Sequence, residues 1–214
     1  MAISTAQTRE SQSLAAELLA LVTDPANTYP HLLERGRTFE VLFFSAVSGV
    51  YVAYVAAERL HLGDRLGFVM TALGAVALGA ALGLLALAFI SSVLAWSTNR
   101  AGGTAGLEEV SGVFGYATWP FLPLLAIVVP LEMIAYGPEV FSAARPAAAW
   151  PVSAIVTALE FATILLWLYL VLRGEAVSAH LSNAQAAKTM GKTVIRMAAI
   201  AVLFAIVSLV SFLI

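Results

Sequence analysis

The sequence contains no cysteine. That excludes disulfides, iron–sulfur clusters, cysteine-ligated zinc and thiol catalysis. Charge is scarce too: Asp, Glu, Lys and Arg make up 11% of the 214 residues, against about a quarter in soluble domains. So few charges exclude a long polar linker, a disordered tail and a coiled coil. The net charge of −2 gives no field for nucleic acid. His31, His61 and His180 stand far apart and outside the apolar runs, and no metal-ligand spacing such as HExxH exists. No metal or cofactor is expected. What is abundant is apolar surface, with 61% hydrophobic residues. A multi-span α-helical membrane protein is the class that remains.

About 20 apolar residues carry a helix across about 30 Å of hydrocarbon. Residues 41–57 and 66–99 are free of charge. The run 110–131 holds Pro120, Pro123 and Pro130, which places its span near Phe121 to Tyr136, led by an amphipathic interfacial segment. Pro151 opens a fourth run at a helical first turn, where a missing N–H is tolerated. A fifth run ends the chain. The pattern predicts an all-α membrane protein with five transmembrane helices at about 39–58, 67–97, 118–136, 151–172 and 195–214. These form one membrane domain over 38–214, after an N-terminal segment over 1–37.

The N-terminal segment has no apolar core before Val41, so it is no signal peptide. Residues 13–22 read as a short amphipathic helix. Leu14, Leu18, Leu21 and Val22 share a face, Glu17 leaves it, Ser11 or Ser13 caps it and Asp24-Pro25 stops it. So short a helix is marginal in water, which puts it on the membrane surface or on another part of the bundle. Lys and Arg set the orientation. Arg9, Arg35, Arg37, Arg100, Arg173, Lys188, Lys192 and Arg196 fall on one side, and Arg59, Arg65 and Arg145 on the other. This predicts a cytoplasmic N-terminus and an outside C-terminus.

A carboxylate inside a span is a functional hypothesis by default. Glu160 lies midway along the fourth span, and Glu132 near the outer end of the third. With no opposite charge expected in the hydrocarbon, Glu160 is protonated, or hydrogen-bonded to a hydroxyl or a freed carbonyl. Either they form an ion, proton or lipid-headgroup site, or they are polar glue between helices. Gly79 and Gly83 make a small-xxx-small pair, serving packing inside the monomer or a homo-oligomer face. Lys188, Lys192 and Arg196 recur every four residues and present a candidate anionic-lipid face. The alternative is orientation by charge alone.

Catalytic patterns fail. Glu108-Glu109 lacks the downstream Arg of a glutamic intramembrane protease, no Asp lies in a span, and no Gly-x-Ser-x-Gly elbow or phosphate loop with Lys exists. No catalytic residue is therefore named.

The stretch Asn99-Arg100-Ala101-Gly102-Gly103-Thr104-Ala105-Gly106-Leu107-Glu108-Glu109, followed by Val113-Phe114-Gly115-Tyr116-Ala117-Thr118-Trp119-Pro120, resembles the hallmark of the Yip (Ypt-interacting-protein) domain family. That family has a glycine pair after its second span, then a short amphipathic segment, then a Tyr and a Pro opening the third. Asp24-Pro25 before a basic stretch, and residues 172–178 after the fourth span, resemble further family segments. The likeness extends from about Leu21 to the end of the chain. It implies five spans and no known catalysis. Eukaryotic members bind prenylated Rab GTPases. This chain is compact and lacks their long N-terminal region, which argues against a Rab-type GTPase partner and for a bacterial-type member in an inner membrane.

In physical terms, Gly102 and Gly103 allow a sharp turn back to the membrane. Leu107, Val110, Val113 and Phe114 then form an apolar face, and Tyr116 and Trp119 suit a headgroup boundary. Pro120 and Pro123 break or kink the helix. The whole is an interfacial elbow, or a recognition surface for a lipid or protein. The expected function is that of a membrane-organising scaffold or an accessory subunit of a larger complex, with membrane lipids and a membrane-protein partner or a second copy as partners. The alternative is a carrier or channel for an ion or lipid working through Glu160 and Glu132.

Overall fold

The computed structural model describes residues 13–36, 38–144 and 150–213, and side chains to residue 198 only, Trp150 excepted. Every regular element among the described residues is helical. In chain order these are α1 (Leu14–Thr23), α2 (Pro25–Glu34), α3 (Thr38–Arg59), α4 (Gly63–Leu66), α5 (Phe68–Arg100), α6 (Leu107–Ala117), α7 (Phe121–Tyr136), a 3-10 turn (Gly137–Phe141), α8 (Trp150–Ser178) and α9 (Asn183–Leu213). Four helical stretches are long and apolar enough to cross a membrane: α3, α5, the α6–α7 stretch and α8. The expected fifth span, 195–214, falls on α9, and most of it lies outside the described side chains.

Helix α5 has 33 residues and is about 50 Å long at 1.5 Å per residue, well beyond the hydrocarbon thickness. Its apolar run ends in Ser97, Thr98, Asn99 and Arg100, so this end projects past the apolar layer. Only 22% of its most apolar window is buried inside the protein. The remaining apolar surface needs an apolar solvent, and a bilayer supplies one.

Helices α3 and α5 form the tightest pair. A Cβ added to Gly79 would meet Val50 Cα at 2.7 Å and Gly49 O at 2.8 Å; one added to Gly83 would meet Ser45 O and Gly49 Cα. The Gly79–Gly83 pair is therefore spent inside the monomer, on α3. At 100° per residue, Gly74, Ala77, Ala81 and Ala88 occupy the opposite, outward face of α5.

The N-terminal helices cap one end of this bundle by packing on α6 and α8. Leu18 and Leu21 are buried as expected. Glu17, placed off that face by sequence spacing, is buried too, because Arg35 Nη1 lies 2.5 Å from its Oε1. Ser13 caps α1 through the Ala16 N–H; Ser11 lies outside the described residues. Helix α2 was not anticipated. It opens on Pro25, and its Tyr29 is fully buried and donates to Leu170 O at 3.1 Å. Burial pushes the Tyr29 hydroxyl far above its ordinary pKa, so it stays a neutral donor.

Two further differences follow from close packing. Helix α8 runs past residue 172 to Ser178, where sequence placed a loop, and Gly174 lets Tyr29 and Val113 approach its backbone. Two residues past the ends of α3 and α8 stand histidines of positive φ, His61 (52°) and His180 (54°). The next amide bonds back five residues, Leu62 to Ala57 and Leu181 to Ala176. These are C-terminal caps of a kind usually given to glycine.

At the opposite end, Asp64 accepts from Ser142 Oγ at 2.5 Å and from Ala143 N at 3.1 Å. These bonds lower its pKa below the ordinary aspartate value. A depressed carboxylate stabilises the fold above the ordinary pKa, near 4, and loses that contribution as pH falls through the folded value. Asp64→Asn is expected to speed amide exchange around Ala143 at pH 7, with the gap to wild type closing below about pH 4. A gap that stays constant down to pH 3 would show the carboxylate charge to be irrelevant.

Candidate functional site

Between α3, α5, the α6–α7 corner and α8 lies an open groove of about 760 Å³. Its walls are mostly aliphatic and aromatic, with Val52, Val55, Leu82, Ile90, Ile164 and Trp167 among them. Polar groups enter at few places. Glu160 Oε1 accepts from Tyr51 Oη at 2.8 Å, and Arg59 Nη2 stands 3.5 Å from its Oε2. An opposite charge was not expected here. It arrives because Arg59 ends α3 and its long side chain reaches back along the groove while remaining 71% exposed. The other hydroxyls on the wall are committed to their own helices. Ser48 donates to Ser45 O at 2.8 Å and Thr118 to Gly115 O at 2.7 Å.

The two intramembrane carboxylates have different surroundings. Glu132 does not line the groove. It is 1% exposed and accepts from Tyr54 Oη at 2.8 Å. Both tyrosines come from one face of α3, three residues apart, so each carboxylate has its own hydroxyl partner.

The residues expected to build an interfacial elbow pack largely inside the bundle. Gly102 takes a φ of +86°, which suits a glycine. Gly103 sits close to Thr98, where a Cβ would meet the Thr98 methyl at 2.6 Å. Glu109 Oε2 accepts from the Gly106 N–H at 2.9 Å and closes the start of α6. Beyond that start α6 is buried on all sides. Val110, Val113 and Phe114 are buried, and so are Gly112, Gly115 and Ala117 on the other faces, whereas Leu107 is 53% exposed. Tyr116, expected at a headgroup boundary, is 1% exposed and donates to Glu40 Oε2 at 3.1 Å. Trp119 is partly buried and packs on the main core, and Pro120 is buried at the corner between α6 and α7. Helical periodicity reports one apolar face; it does not report that glycines on the reverse face admit neighbours.

Of the basic face, Lys188 and Lys192 are exposed. Arg196 turns inward, donating to Ser97 Oγ at 2.6 Å and stacking 4.2 Å from the Trp96 ring centre. Sequence reasoning missed Tyr51, Arg59 and Trp96. A tyrosine and an arginine on one apolar helix were the available signal, but their partner lies more than 100 residues away. Among the described residues no group of three His, Asp or Glu side chains could hold a metal. Compared with protein-family models, curated proteins and solved structures, the chain matches none.

Proposed function

We propose that this chain is a non-enzymatic integral membrane protein that binds a membrane lipid in the groove at Glu160. The observation that carries the reading is the groove itself. Its volume is that of a small-molecule site, its walls are apolar, and its charge is confined to Glu160 and Arg59 at one part. An acyl chain gains by leaving one apolar surface for another with good packing, and a headgroup can exchange bonds with the Tyr51–Glu160–Arg59 set. An ion is a poorer occupant, because it needs oxygen ligands or water along its path. The Trp167 side chain also lines the groove, and its indole N–H is buried with no hydrogen-bond partner among the described residues.

The test is native mass spectrometry of the protein extracted in mild detergent. Wild type is expected to carry a bound lipid. Ala86→Trp, which fills the groove wall, is expected to lose it while keeping its thermal midpoint within a few degrees. Wild type without lipid, or a variant that retains it, would sink the proposal.

The scaffold or accessory-subunit reading is the second proposal. It is supported by the small-residue face of α5, Gly74, Ala77, Ala81 and Ala88. This faces away from α3 and suits close approach of another helix. In this reading, as in the first, the N-terminus is cytoplasmic, the membrane is a bacterial inner membrane, and the Yip resemblance describes the architecture.

A further inference from the structure

Helix α5 presents a second feature at the end where its apolar run stops. The Arg100 and Arg196 guanidinium carbons lie 4.7 and 4.2 Å from the centre of one ring, that of Trp96. They are therefore no more than about 9 Å apart. Among the described residues neither is paired with an acid. Glu175, which comes to the adjacent Thr98, is buried and bonds that hydroxyl. Two like charges on one aromatic ring repel one another, and water screens them less at a membrane boundary than in bulk. An anion shared between them removes that cost.

We propose that Trp96, Arg100 and Arg196 form a binding site for the phosphate headgroup of an anionic phospholipid. The Arg196 guanidinium is already positioned by its 2.6 Å bond to Ser97 Oγ, so little side-chain freedom is lost on binding. A planar guanidinium pairs with two phosphate oxygens at once. The indole ring stacks with each cation and sits where tryptophan favours the headgroup layer. A lipid, rather than free phosphate, fits because Leu85, Phe89 and Trp96 continue one exposed apolar face of α5 away from the cations. An acyl chain lies along that face while its phosphate meets the arginines. This site is separate from the groove and uses none of its residues.

The experiment places the full chain in nanodiscs of phosphatidylcholine with or without phosphatidylglycerol. Lipid retained after extraction is counted by native mass spectrometry. Wild type is expected to retain phosphatidylglycerol over phosphatidylcholine. Arg100→Gln with Arg196→Gln is expected to weaken that preference at least about tenfold. Lys188→Gln with Lys192→Gln removes the same charge away from the ring and is expected to weaken it less than about threefold. Arg100→Lys with Arg196→Lys keeps the charge and the fold but loses the planar stack, and is expected to fall several-fold. Equal losses in the arginine and lysine pairs, or an unchanged Arg-to-Lys variant, would overturn the proposal. Displacement of the lipid by millimolar inorganic phosphate, with no preference between the two lipids, would assign the site to free phosphate and overturn it as well.

Discussion

Gly83→Val is expected to destabilise the protein by about 3 kcal/mol or more, enough to lose most folded material on extraction. A Cβ at this position would meet the Ser45 carbonyl oxygen, and the Gly49 Cα at 3.0 Å. These are backbone atoms of α3, and no rotamer change moves them. Relief requires the two helices to separate along their length, which uncovers the contact that Gly49, Gly79 and Gly83 make together. Gly74→Val is the control. Nothing lies within 4 Å of a Cβ there, and valine is no worse than glycine in a helix. It should shift stability by less than about 0.5 kcal/mol. Thermal unfolding of both in one detergent decides the matter. If Gly83→Val unfolds with wild type, the α3–α5 contact is not as close as described. A Gly74→Val protein that folds but loses an interacting partner would favour the scaffold proposal.

The positions of the long helices were legible, because a charge-free run is a local property of the chain. Expected spans of 39–58, 67–97 and 118–136 meet helices Thr38–Arg59, Phe68–Arg100 and Phe121–Tyr136. Pro120 marked the α7 boundary because proline starts a helix but interrupts one in progress. Helix α2 was not legible. Its polar composition and internal Pro30 argue against a helix, and its stability comes from Tyr29 and Leu32 packing on other elements. The burial of α6 was not legible either, since an amphipathic period looks the same on a membrane surface and inside a bundle. The groove is the hardest case. Tyr51, Arg59 and Glu160 sit on two helices, and only the crossing of those helices makes them neighbours.

Glu132→Ala is expected to cost about 2–4 kcal/mol, whereas Glu160→Ala is expected to cost about 1 kcal/mol or less. The two residues share a chemistry, and each accepts a 2.8 Å bond from a tyrosine of α3. Their surroundings differ. Glu132 is enclosed, so its removal leaves a cavity with no solvent to fill it and takes an acceptor from the buried Tyr54 hydroxyl. Glu160 opens on the groove, and its cationic partner Arg59 is 71% exposed. Lipid or water can replace the lost carboxylate there, and an ion pair whose cation is exposed contributes little. Glu160→Ala should instead alter which lipids are retained, because it frees Arg59 to meet an anionic headgroup. Glu132→Ala should leave the retained lipid unchanged in whatever protein still folds. Thermal midpoints and native mass spectra of the two variants, taken side by side, test both halves. A larger stability loss at Glu160 than at Glu132 would mean that Glu160 serves to hold the bundle together, and the lipid proposal would lose its polar anchor.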